Sequence, residues 1–274
     1  MRTIVVAAVA LSLGFAAGGC GSSSGDDGGE KQVRAAIHTG LTSHDPAACT
    51  QLFTRAYVEQ TALTHGAGAV GVCRETLRRG EPARDTKISK VSVTGTRARA
   101  DVAVQGGDED GSHYDLRLVQ RGGRWRLDRI AGVELEFERY LRAGRRQLAR
   151  PPEALSGREA DCVVGRIRRI GEARLEKAIV AADARIASDS VVPCLGRRSL
   201  RRQFEAGIRS GLPDEQGDCV VAQLRDSISE QQIRDFVRSS LTGAEPTSQL
   251  RRAVARALIA CGGGPGGGGG AQSA

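Results

Sequence analysis

Residues 97–105 read RARADVAVQ. Ala98, Ala100, Val102 and Val104 alternate with Arg97, Arg99 and Asp101, the period of two expected of a strand with one dry and one wet face. The pattern continues on both sides. Residues 88–93 carry Ile88, Val91 and Val93, and the odd spacing of Ile88 and Val91 predicts a bulge early in the sheet. Residues 113–119 set Tyr114, Leu116 and Leu118 against His113, Asp115 and Arg117, and residues 124–130 set Trp125 and Leu127 against Arg124, Arg126 and Asp128. The connections TGT (94–96), GGDEDGS (106–112) and RGG (121–123) are turn chemistry. The acidic stretch GDEDG is expected to be a solvated turn rather than a calcium loop. An antiparallel meander with one apolar face needs cover from other elements.

That cover precedes the sheet. EKQVRAAIHTGL (30–41) spaces Val33, Ile37 and Leu41 as a helix does. DPAACTQLFTRAYVEQT (45–61) opens with Asp45 as a cap and Pro46 at the first helical position. AGAVGVCRETLRR (67–79) predicts a third helix closed by Gly80. The fold class is α+β, helices packed on a curved antiparallel sheet.

Helices followed by a sheet ending in GGRWRLDRI (122–130), together with HDPAAC (44–49) and GVCRETL (71–77), resemble the nuclear transport factor 2-like fold in the style of small exported actinobacterial lipoprotein domains. The resemblance covers residues 30–133 and implies a cystatin-like cone with a pocket between helices and sheet. Fold alone assigns no activity, because such cones host both binders and enzymes. Strand parity gives the expected pocket lining as Val102, Val104, Tyr114, Leu116, Leu118 and Trp125. This apolar set offers no carboxylate base, so the domain reads as noncatalytic, with His65 and Glu59 as helix residues able to reach the pocket.

Residues 134–262 read as a helical domain containing a repeat. DCVVGRIRRI (161–170) returns as DCVVAQLRDSI (218–228); with a one-residue shift Ile170 matches Ile228 and Leu175 matches Ile233. RYLRAGRR (139–146) and RQFEAGIR (202–209) extend the correspondence upstream. Leu175, Ala178, Ile179, Ala182 and Ile186 form one apolar stripe, and Leu250, Ala253, Val254, Ala257, Leu258 and Cys261 another. Ser229 with Gln232 forms a capping-box pattern.

The N-terminus supplies a cellular address. Arg2, an apolar run over 4–17 and small residues precede Cys20, the layout of a signal peptide too short to span a bilayer comfortably. Ala17, Gly18, Gly19 and Cys20 resemble a bacterial lipobox in its glycine-rich actinobacterial form, which implies cleavage after residue 19 and lipid at Cys20. Residues 20–29 then form a flexible tether, and the Gly-rich tail 263–274 is disordered. Location follows from the same resemblance: the extracytoplasmic face of the cell membrane, lipid-anchored.

The chain has seven cysteines. With Cys20 lipidated, six remain, and in an exported chain they are disulfide candidates. Six cysteines allow fifteen pairings by combinatorics alone. Pairing within modules selects Cys49 with Cys73, Cys162 with Cys194, and Cys219 with Cys261, since each repeat begins and ends with a cysteine.

Net charge is +8, but only four of the forty basic residues are lysines. That Arg bias is a compositional habit of GC-rich genomes and weak support for nucleic acid as partner; none is expected. Arg197, Arg198, Arg201 and Arg202 share a helical face, read either as a dock for anionic headgroups or as an ordinary solvated face. The four histidines show no metal-ligand spacing, and neither metal nor cofactor is expected. Three function classes follow: a noncatalytic envelope lipoprotein binding a small apolar ligand or an envelope protein partner; an isomerase- or cyclase-like enzyme using the cone; and a structural or assembly module acting through the helical repeat.

Overall fold

The structure, a computed structural model, describes residues 25–262 apart from 64–66, 152–153, 211 and 226. The signal segment, Cys20, His65 and the glycine tail lie outside the described residues. The architecture is mixed helix and sheet: among the described residues, one four-stranded antiparallel sheet, twelve α-helices and three disulfides. No helix among them is long and apolar enough to cross a membrane.

The strands β1 (Asp85–Thr94), β2 (Arg97–Gln105), β3 (Ser112–Arg121) and β4 (Arg124–Leu135) pair in sequence order. The expected bulge is present. Register shifts between Ser89 and Ser92, with Lys90 at φ 47°, so Ile88, Val91 and Val93 all face the helices. Two further shifts lie in β4: the one opposite Arg117/Leu118 brings Ile130 to the buried face in place of Arg129, and the one opposite Asp115/Leu116 turns Val133 toward the same core. On the other face Lys90 pairs with Asp101 and Arg99 with Asp115, both at 2.7 Å.

Helix α1 (Gly25–Thr42) starts inside the stretch expected to be tether. Its contact with the sheet reaches back to Gly29, which lies against Val93, so the backbone there has a surface on which to remain helical. The long helix expected over 45–61 is broken into α2 (Ala48–Gln51) and α3 (Arg55–Ala62). Between them Leu52–Thr54 run beside β4: Leu127 N–H donates to Leu52 O and Thr54 N–H to Leu127 O, at 2.9 and 2.8 Å. Pairing with the sheet edge outweighs continued helix here, and Thr54 then caps α3. Asp45 does not start a long helix; its carboxylate accepts from Ala47 N–H. Helix α4 (Ala67–Arg79) ends at Gly80 as expected, and Cys49–Cys73 ties it to α2. One core, from Val33 to Ile130, lies between these helices and the sheet.

After β4 every named element is helical: α5 (Phe137–Leu148), α6 (Gly157–Ile170), α7 (Glu172–Ala181), α8 (Ala184–Val191), a 3-10 turn (Val192–Cys194), α9 (Arg197–Ser210), α10 (Asp214–Leu224), α11 (Glu230–Thr242) and α12 (Ser248–Ala260). A second core runs from Leu155 to Ala257. β4 continues to Leu135, two residues past the boundary expected between 133 and 134, and α7 packs against it. Gln60 on α3 exchanges hydrogen bonds with both backbone groups of Ile130 and donates to Val180 O, each at 2.9 Å, while Leu135 N–H donates to Glu176. β4 is an edge strand, and α7 covers groups an edge leaves unpaired.

The repeat is visible in three dimensions. Asp161 and Asp218 each occupy the fifth position of their helix. Each accepts from an arginine Nε of the preceding helix, Arg145 at 2.6 Å and Arg209 at 2.7 Å. The adjacent Cys162 and Cys219 bond to Cys194 and Cys261, past the ends of α8 and α12. Leu175 and Ile233 are each the fourth residue of the next helix. The stripe read across 175–186 is two helices, because Ala182 adopts φ 52° and Asp183 caps α8. The capping box at Ser229–Gln232 is present, matched by Ser156–Glu159 on α6.

Candidate functional site

The sheet face expected to line a pocket is buried instead. Val102, Val104, Tyr114, Leu116, Leu118 and Trp125 pack against Val33, Ile37, Phe53, Tyr57 and Leu127 in the first core. Parity placed them on the correct face, but the covering helices fill that face. The Trp125 indole N–H is buried there without a partner. Val102 and Tyr114 also border a trough on the opposite face, among Lys90, Arg99, Asp101 and Asp115.

A cavity of about 320 Å³ opens beside this core. Its walls come from α1, α3, α4, the α4–β1 connection, α5 and the β2–β3 turn; the six expected residues do not border it. The turn that closes it is GGDEDGS, and it is not a solvated turn. Gly107, at φ 73°, seats it so closely on Glu81 and Pro82 that no β-carbon fits. Asp108 N–H donates to Glu81 O at 2.9 Å, and Glu81 N–H to Asp108 Oδ2 at 3.0 Å. Arg150, just beyond α5, reaches Asp108 at 3.0 Å and Glu81 at 3.1 Å. Arg139, in the first turns of α5, reaches Asp110 at 2.7 Å, and Asp110 also accepts from Gly106 N–H at 2.6 Å. Two arginines at the two ends of one helix thus clamp the first and third acids of the turn.

The middle acid, Glu109, borders the cavity. Its side chain is exposed. Desolvation by the surrounding protein pushes its carboxyl above the usual range, and the neighbouring Asp108 charge adds to that rise. All three tyrosines of the chain feel this carboxylate. Burial first, then the Glu109 charge, raises Tyr57 and Tyr114 well above the ordinary phenol and Tyr140 to about 12. Tyr57 and Tyr140 border the cavity, and Tyr57 packs on Phe53 with ring centroids 4.9 Å apart.

A second cavity, a cleft of about 240 Å³, lies among α5–α8. Leu141, Leu148, Val163, Ile167, Leu175 and Ile179 make its surface mainly apolar. Tyr140 and Gln147 border both cavities, so α5 is their common wall.

Comparison with family models, curated proteins and solved structures returns no match.

The remaining expected residues divide clearly. The six cysteines form the three expected pairs. Of the four arginines on α9, Arg201 donates to Arg225 O at 3.1 Å and Arg202 to Ala154 O at 3.0 Å. These two satisfy backbone carbonyls of the helical body, and Arg197 and Arg198 remain exposed. Among the described residues no group of three or more His, Cys, Asp or Glu is placed to hold a metal. Glu109 escaped strand parity because it belongs to a turn. Its signal was the length of that turn: acids flanked by glycines, too long for a two-residue hairpin, suggest a loop that folds back onto the protein.

Proposed function

We propose that this chain is a lipid-anchored envelope protein, held to the extracytoplasmic membrane face through Cys20, whose folded body is a noncatalytic module for a small apolar ligand. On this reading the helices and sheet over 30–133 are a nuclear transport factor 2-like cone, and the later helices a disulfide-stapled all-α unit. The observation that carries the binding role is the apolar cleft among α5–α8, with its rim of Leu, Ile and Val side chains. Burying a ligand there removes apolar surface from water at about 25 cal/mol per Å², with few polar groups to leave unsatisfied. The ligand site thereby moves from the sheet face, which is core, to the helical cleft.

Native mass spectrometry of the protein extracted from its own membrane tests this. The expected spectrum shows diacylglyceryl-modified Cys20 and a small apolar adduct, and Ala178→Phe, which fills the cleft, loses the adduct. An adduct retained by Ala178→Phe, or none in the unaltered protein, overturns the cleft reading. An unlipidated Cys20 overturns the anchor.

The isomerase- or cyclase-like alternative gains one observation, the Glu109 carboxylate bordering the cavity beside the first core. Turnover of any substrate by the extracted protein, abolished by Glu109→Gln with folding intact, decides in its favour.

A further inference from the structure

The outward face of the sheet divides by charge. Over its middle and toward the β2–β3 turn, bases meet acids: Lys90 pairs with Asp101, Arg99 with Asp115 and His113 with Glu136. At the other end, by the β1–β2 and β3–β4 turns, Arg97, Arg117, Arg121, Arg124 and Arg129 stand exposed. Among the described residues none of these five makes an ion pair. They also confront one another across the ladder. Arg117 lies directly opposite Arg99 on β2 and Arg129 on β4, and Arg121 lies directly opposite Arg124. Like charges set directly opposite destabilise a sheet, and a polyanion laid over them relieves that repulsion. Arginines elsewhere in the chain find carboxylates, as Arg145 does at Asp161, Arg168 at Glu138 and Arg209 at Asp218. The unpaired rows are therefore a local feature and not a habit of an arginine-rich chain. Against them stand Asp128 in the β4 bulge and, at the start of α1, Asp26, Asp27 and Glu30, the last held by Arg34.

The chain enters the fold at this same end. Gly29 lies against Val93, one residue from the end of β1, while Arg34 donates to Ile88 O at 2.7 Å and Ala83 N–H to Leu41 O at 3.2 Å. Helix α1 thus runs antiparallel to β1, with its N-terminus beside the β1–β2 turn. Gly25 follows Cys20 by five residues, and five residues reach at most about 17 Å. Lipid at Cys20 keeps the arginine end within roughly two screening lengths of the headgroups at physiological salt. Nothing comparable ties the exposed Arg197 and Arg198 of α9 to the membrane.

We propose that this end of the outward sheet face docks the folded body on the anionic lipid headgroups of the membrane that holds Cys20. Guanidinium forks match phosphate oxygens in shape as well as charge. The choice of a bilayer as occupant rests on the anchor proposed above, but its test does not need the anchor.

That test is vesicle sedimentation of the mature chain from residue 20 carrying Cys20→Ser, which retains every described residue and has no lipid of its own. Vesicles of phosphatidylcholine with about 30% phosphatidylglycerol are compared with phosphatidylcholine alone at about 0.1 M salt. The expected result is binding to the anionic vesicles only, lost near 1 M salt, where screening falls to about 3 Å. Each basic side chain at such a surface is worth about fivefold in affinity, so combined Arg117→Gln, Arg121→Gln and Arg124→Gln weakens binding by about a hundredfold. The melting temperature of that variant is expected to hold or rise, because like charges are removed and no ion pair is lost. Arg197→Gln, Arg198→Gln and Arg256→Gln together, exposed arginines of the helical body, make the same change in net charge and are expected to weaken binding by less than about tenfold. Equal losses from the two triples, a larger loss from the helical one, or equal binding to neutral vesicles overturns the proposal. Tighter binding to soluble polyphosphate than to vesicles of matched phosphate content overturns the bilayer as occupant. Cys20 itself is decided separately by its mass in the extracted protein, so failure of the dock and failure of the anchor are distinct results.

Discussion

Replacing Gly107 with alanine is expected to cost roughly 4 kcal/mol of stability, and the sum can be assembled from its parts. An alanine in the left-handed region costs about 1–2 kcal/mol by itself. Gly107 sits there at φ 73°, and a β-carbon would press on the carbonyl oxygens of Pro82 and Glu81. Those oxygens are backbone, and Glu81 O already accepts from Asp108 N–H. The turn must lift away, breaking the two reciprocal Glu81–Asp108 bonds, at about 1 kcal/mol for each hydrogen bond lost. Gly95 provides the control. It has φ 57° but open space where its β-carbon would stand, so Gly95→Ala is expected to cost only the backbone preference, roughly 1 kcal/mol. Urea unfolding followed through Trp125, the single tryptophan and part of the first core, reads both variants. At a typical slope near 2 kcal/mol per molar urea, the midpoints fall by about 2 M and about 0.5 M. If Gly107→Ala loses no more than Gly95→Ala, the turn is not seated as described and Glu109 is not held over the cavity.

Three further outcomes are expected. Removing the Cys219–Cys261 bridge by paired serine substitution opens a 42-residue separation and costs about 4 kcal/mol by chain entropy, against about 3.5 kcal/mol for Cys49–Cys73 at 24 residues, measured by denaturant unfolding. Glu159→Gln destabilises at neutral pH by about 1–2 kcal/mol, because Glu159, partly buried, is nevertheless held at about 2 by hydrogen bonds from Ser156, Gly196 and Ser199. Its folded value lies below the unfolded one, so this stability is fully present above about pH 4.5, and the gap between variant and parent closes as pH falls toward 2. Gln60→Leu removes the amide that serves Ile130 and Val180, costs about 2–3 kcal/mol, and increases hydrogen exchange at Ile130 more than at Leu116.

Strand parity, turn chemistry and cysteine bookkeeping carried much of the architecture, because they are local. The bulge near Lys90, the end of α4 at Gly80, the capping box at Ser229 and the three disulfides were all legible from neighbours a few residues apart or from a repeated four-letter word. What failed depended on distant partners. The break in 45–61 comes from Leu127 pairing with Leu52 and Thr54, more than seventy residues away in sequence. The reach of α7 back onto β4 was likewise beyond any local pattern. The expected pocket-lining residues lie in the first core, and alternation says which face a side chain takes, not whether that face is left hollow or filled. Glu109 was hidden because its placement depends on Arg139 and Arg150, which lie on an element beyond the sheet.

The three disulfides also share a topological property. Each joins a cysteine to the next one along the chain: 49 to 73, 162 to 194, 219 to 261. None encloses or crosses another. With Cys20 taken by lipid, as proposed, a polypeptide entering an oxidising compartment from its N-terminus meets its other six cysteines two at a time, and joining each newcomer to the one still waiting yields the native set. The final connectivity needs no reshuffling, and each staple closes on residues that have already arrived.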